Sequence, residues 1–170
     1  MRWILLLTVL FTTTAATSPK SPFISDIKQQ MEADYLALDQ KVASCLEQKA
    51  QNSLTSILDP WFNQLSKLQM TAVVLVMDQL AMNACFHQQE LDYTSSMLNY
   101  TAASDDRSYL DEWLTFKKSL MTNKIARGAQ GISLQKIKLL AQSQSLSTPF
   151  NPDPLLLAIK RGEYSPSTAD

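Results

Sequence analysis

Cys45 and Cys85 are the only cysteines, and Asp78 is the only formally charged residue between Leu68 and Gln89. These three positions carry the first chemistry the chain suggests. An even cysteine count pairs most simply inside one chain. A Cys45–Cys85 disulfide would close a loop of about 40 residues and contribute roughly 4 kcal/mol by constraining the unfolded chain. The alternatives are two buried free thiols or a bond between two chains. A carboxylate within an apolar helix needs a partner. For Asp78 the candidates are Lys41, Lys117, Lys118 and Lys124 on other helices, or nearby Gln79 and Asn83. It could also lie on a narrow wet stripe with Gln79 and Asn83.

Trp113 and Phe116 are three residues apart and share a helical face. With Asp78 they are the candidate ligand- or partner-binding residues, although packing alone also demands large apolar anchors. His87-Gln88-Gln89-Glu90 pairs one imidazole with one carboxylate, too few ligands for zinc, and no matching pair occurs elsewhere. No metal and no cofactor is expected. Cys85 and His87, two apart on a helix, point in different directions and make a poor nucleophile and base. Asp105, Asp106, Asp111 and Glu112 cluster where a helix starts, which capping explains. A hydrolase using paired carboxylates would need a second acid across a cleft from Asp78. No phosphate loop, nucleotide fingerprint or serine elbow is present. Asn99-Tyr100-Thr101 is an N-glycosylation sequon expected in a loop.

These residues must be held by helices. Only three glycines occur, all from Gly128 onward, and Pro60 is the single proline between Phe23 and Arg127. A strand-rich domain would need turn residues every 8 to 12 positions. The chain is therefore read as all-α, an irregular bundle of about four main helices plus a short docked C-terminal helix. Ser21-Pro22 starts the first helix, with Ile24, Ile27, Met31, Tyr35, Leu38, Val42 and Cys45 on one stripe. It runs to about 50, or to 58 with a break near Gln51-Asn52-Ser53. Asp59-Pro60 starts the second, which becomes apolar nearly all round at 72–77 and is read as a buried helix rather than a membrane span. Thr101–Asp106 is a polar junction. The third helix carries Tyr109, Trp113, Phe116, Leu120 and on to Ile125, and Ser133 caps a fourth.

A disulfide conflicts with a simple hairpin. With a turn near 59, Cys45 and Cys85 would sit about 18 Å apart along the axis, far beyond disulfide reach. Pairing therefore predicts an irregular path between the first two helices.

The chain opens with Arg2, then Ile4–Phe11, then small residues to Ala16, the layout of a secretory signal peptide. The expected organisation is a signal peptide at 1–16, one helical domain at 17–162 and a flexible tail at 163–170. Losing Arg2 changes 15 Lys and Arg against 16 Asp and Glu to 14 against 16, net -2. That balance offers no basic face for nucleic acid or anionic lipid. The expected setting is secreted or periplasmic, with no stable transmembrane span after signal removal.

The leading functional expectation is an exported non-enzymatic interaction protein, an adaptor, inhibitor or structural subunit that binds another exported or envelope protein. The alternative is a carrier of a small apolar or lipid ligand, suggested by Met31, Met70, Met77, Met82, Met97 and Met121. A carboxylate hydrolase stands third. A closed core with an exposed apolar patch would favour the partner protein, and an enclosed methionine-lined cavity the carrier.

Overall fold

A computed structural model describes residues 22–120, 123–143 and 146–164. The expected signal peptide, Met121 and the last six residues fall outside them. The protein is an all-α irregular bundle with a short docked C-terminal helix. Seven helical segments occur among the described residues: α1 (Pro22–Gln51), α2 (Pro60–Asn63), α3 (Lys67–Ser104), α4 (Ser108–Ser119), α5 (Asn123–Gly128), α6 (Leu134–Ala141) and α7 (Asp153–Arg161). No strand forms among these residues, only an isolated parallel bridge between Ser53 and Asn151.

The first helix follows its apolar stripe. Met31, Leu38 and Cys45, seven residues apart, are its buried residues. Tyr35 stands at the stripe's edge and is 53% exposed. α1 and α3 run antiparallel, as the contacts Tyr35–Tyr93, Cys45–Cys85 and Lys49–Asp78 show. The disulfide forms, with Cα atoms 6.1 Å apart.

The irregular path that this bond demands is visible. Cys85 lies 18 residues into α3, about 27 Å along it, whereas Cys45 lies only 6 residues, about 9 Å, from the end of α1. The N-terminal part of α3 therefore overhangs α1 by about 18 Å. Residues 52–66 cross this overhang as an extended segment, the single turn of α2 and a bend. The expected second helix is accordingly split. Asp59 caps α2 through Phe62 N, as the Asp-Pro pair implies, but the helix stops at Asn63. Ser66 restarts it with a capping box, its hydroxyl accepting from Gln69 N while Gln69 Oε1 accepts from Ser66 N. The expected third helix is also broken, into α4 and α5 around Leu120. Ser133 sits at the start of α6 but makes no side-chain capping bond.

The offset between α1 and α3 creates two cores. Around the overhang, Val73, Val74 and Met77 are fully buried with Leu54, Ile57, Phe62, Ile137, Phe150, Leu155 and Ile159. Along the α1–α3 pair, Met31, Leu38, Tyr93, Met97 and Tyr100 form the other. α3 is long and apolar enough to cross a membrane by length and composition, but its most apolar stretch is the centre of the first core.

Two irregular segments close that core. Leu54 N donates to the Asn151 carbonyl at 3.0 Å and Asn151 N to the Asn52 carbonyl at 2.7 Å. Gly162, at φ 78, ends α7 as expected. Glu163 and Tyr164 follow it, the only residues of the expected 163–170 tail among those described. The Tyr164 hydroxyl lies 2.9 Å from both the Ile57 carbonyl and Asn63 Oδ1, and its ring meets Phe62 edge-on.

Gly128 allows α5 to approach α3. A Cβ there would fall 2.6 Å from Ala72 Cβ and 3.0 Å from the Leu68 carbonyl oxygen. Alanine ordinarily stabilises a helix over glycine by about 0.5–1 kcal/mol. Here Gly128→Ala should instead destabilise by about 1–3 kcal/mol, because Ala72 Cβ, fixed directly to the α3 backbone, must give way. A urea midpoint that rises in the variant would contradict this packing.

Candidate functional site

α4 returns along α3, since Tyr109 meets Tyr100, Trp113 meets Tyr93 and Lys117 pairs with Glu90. The reversal is built at the polar junction. Asp105 adopts the left-handed conformation at φ 58, and Asp106 Oδ1 accepts from Ser108 N at 3.0 Å and from Ser108 Oγ at 2.7 Å. α4 has no fully buried residue. It covers the α1–α3 pair without sealing against it, and a groove of about 750 Å³ remains between the three helices.

Met31, Tyr35, Leu38 and Val42 of α1 form one wall of the groove. Met82, Phe86 and Tyr93 of α3 form its floor, and Tyr109, Trp113 and Phe116 of α4, with Leu120 just beyond it, form the opposite wall. The rings make a connected set. Tyr93 lies 5.3 Å from both Tyr35 and Trp113, and Trp113 lies 5.6 Å from Phe116, all between ring centroids. Such tilted and edge-on contacts suit the aromatic quadrupole.

Polar groups enter at several places. Asp78 Oδ2 accepts from Lys49 Nζ at 2.7 Å, with both side chains largely buried. Of the lysines expected to partner Asp78, Lys41, Lys117 and Lys118 make no ion pair with it among the described residues, and the Lys124 side chain lies outside them. The antiparallel register instead brings Lys49, in the last turn of α1, against it. Asp78 Oδ1 is buried and has no hydrogen-bond partner among the described residues. Lys117 pairs with Glu90 and stands 5.5 Å from the Trp113 ring centre. Gln79 Nε2 donates to the Leu120 carbonyl at 3.1 Å and ties the end of α4 to α3.

Asp78, Trp113 and Phe116, chosen separately from the sequence, thus line a single groove. The stripe Tyr109, Trp113, Phe116 and Leu120 is its wall, and within that wall Tyr109 and Trp113 also pack against the Met31–Tyr100 core. Phe116 is 49% and Leu120 41% exposed. Sequence reasoning missed Phe86, Tyr93, Asp39 and Glu112. The spacing of Met82, Phe86, Glu90 and Tyr93, in steps of four, four and three, was a signal for a common face.

The other candidates disperse. Asn99 is exposed, but it lies within α3 and not in a loop, because that helix continues to Ser104. His87 is exposed, and Glu90 turns to Lys117. Among the described residues, no group of three His, Cys, Asp or Glu side chains could hold a metal ion. A second cavity of about 780 Å³ lies between the 52–61 segment and α6, and Ser53, Thr55, Ser56 and Ser143 give it a more polar lining.

Burial raises the Tyr93 phenol above its ordinary value of 10.0, with Tyr35, Glu112 and Tyr109 adding to the effect. Burial also raises Tyr164, against the opposing hydrogen bond to Ile57. Both phenols stay neutral in the folded protein at a pH where the unfolded chain ionises. The stability they support is intact below pH 10 and is lost as pH rises through their folded values. In an alkaline titration followed by tyrosinate absorbance, native protein should show a late phase. Tyr93→Phe and Tyr164→Phe should each reduce it. A single phase at the ordinary tyrosine pKa would contradict this environment.

No family model, curated protein or solved structure matches the chain. The groove is the ground for a functional reading.

Proposed function

We propose that this chain is an extracytoplasmic, non-enzymatic binding protein whose α1–α3–α4 groove holds a small apolar ligand. The carrying observation is that groove, about 750 Å³ in volume and walled by methionine, aliphatic and aromatic side chains. Small-molecule sites commonly measure roughly 300–1,000 Å³ and combine an apolar lining with a few polar groups. Met31 and Met82 supply an adaptable surface. The Cys45–Cys85 bond supports an oxidising compartment, in agreement with the export layout of residues 1–16.

The methionine lining raises the carrier above the partner-protein reading, which led on the sequence alone. A second observation keeps that reading in place. Phe116 of α4 and Leu120 just beyond it line the groove and are 49% and 41% exposed. They form an apolar rim that another exported protein could cover.

Solvent extraction of the mature protein purified from its native compartment, followed by mass spectrometry, tests the choice. A stoichiometric apolar compound is expected. Saturable quenching of Trp113 by a dodecyl-chain alcohol should also occur and should vanish in Trp113→Phe. A co-purified protein without bound compound and without quenching would transfer the role to the α4 rim.

A further inference from the structure

The groove is apolar in its walls but unequal in charge. Glu32, Asp39, Asp78, Glu90 and Glu112 line it, against Lys117 alone. Three of these acids are neutralised: Asp78 by Lys49, Glu90 by Lys117, and Glu32 by Lys28 at 3.4 Å. Asp39 on α1 and Glu112 on α4 have no ion pair among the described residues. They leave two uncompensated negative charges on opposite walls.

The rings add to the same preference. Lys117 stands 5.5 Å from the Trp113 ring centre and Lys28 stands 5.8 Å from that of Tyr109. Cations of the chain itself therefore already occupy positions over two rings of the groove. Aromatic faces attract ammonium groups, most strongly for tryptophan and where water is displaced. A carboxylate head would meet the opposite field.

Resting on the apolar-ligand reading above, we infer that the occupant is a cationic amphiphile, with an apolar body between α1, α3 and α4 and an amine or quaternary ammonium head near Asp39 and Glu112. The aliphatic and aromatic walls supply affinity that is indifferent to charge. The two free carboxylates supply selection, and they are exposed enough that salt should weaken that selection.

Three probes sharing a dodecyl chain separate the two layers of this reading: dodecyltrimethylammonium, dodecanol and dodecanoate, each below its aggregation concentration at low salt. Trp113 fluorescence should report dodecyltrimethylammonium binding roughly tenfold more tightly than dodecanol, and dodecanoate more weakly. Asp39→Asn with Glu112→Gln should abolish the cation preference, so that dodecyltrimethylammonium and dodecanol bind with similar affinity. Equal affinities for all three probes, or the tightest binding for dodecanoate, would overturn the charge inference and leave the apolar site standing. Failure of every probe to bind would remove both. A preference that survives the double substitution would overturn the roles of Asp39 and Glu112.

Discussion

Replacement of Cys45 and Cys85 together by alanine should lower unfolding stability by about 4 kcal/mol and the melting temperature by on the order of 10 °C. The bond spans 40 residues, so its loss releases a long loop in the unfolded chain. The native state feels the loss in a specific way. Without the bond, no cross-link opposes sliding of α1 along α3 beyond the 52–66 connection itself, and its extended 52–59 part no longer has a fixed distance to cross. Cys45 is fully buried, so alanine also leaves a small void, and reduction of the wild-type protein should cost slightly less than the double substitution. Chemical denaturation with and without a reductant checks both values. A change below about 1 kcal/mol would mean that the cores alone hold the register, since the loop-closure contribution for this span is several-fold larger.

The disulfide also marks what was legible in the sequence. Its axial mismatch with a simple hairpin was calculable from residue numbers, and it correctly implied an irregular connection. The stripes of α1 and α4 were legible because their apolar residues recur at helical spacing. The break at Gln64–Ser66 was legible in principle, as Ser66-x-x-Gln69 is a capping box. It was obscured by the apolar run that follows. The break around Leu120 has no such marker, and Gly128 and Gly131 drew the helix end too far along the chain.

Burial on α4 was not legible at all. Periodicity reveals which residues share a face, and Tyr109, Trp113, Phe116 and Leu120 do. Whether that face seals against its neighbours depends on the separation of α4 from α1, which tertiary packing sets. The same limit explains Asp78. Its need for a partner followed from desolvation, but choosing Lys49 required the antiparallel register imposed by the disulfide. Asp39 and Glu112 looked like ordinary solvent-facing acids until two helices placed them beside one groove.

Phe62→Ala should cost about 3–5 kcal/mol, the range for removing a large buried aromatic side chain. Phe62 is fully buried although its helix is one turn long. It sits where the connection between α1 and α3 turns, against the fully buried Val73, Val74 and Met77 cluster. Its backbone nitrogen donates to the Asp59 cap and its ring makes a T-shaped contact with that of Tyr164. Loss of the ring therefore opens a cavity and removes the surface on which Tyr164 rests. The effects of Phe62→Ala and Tyr164→Phe should be non-additive, because the two side chains touch. The groove belongs to the other core: its lining includes Met31, Leu38 and Tyr93 and none of the residues around Phe62. At a temperature where the variant remains folded, dodecyltrimethylammonium affinity should match wild type within about twofold, as distant sites usually behave independently. A large stability loss with intact binding would establish that the overhang core supports the fold and the α1–α3–α4 layer supports the site. A matching collapse of affinity in folded protein would mean that the two cores are one mechanical unit.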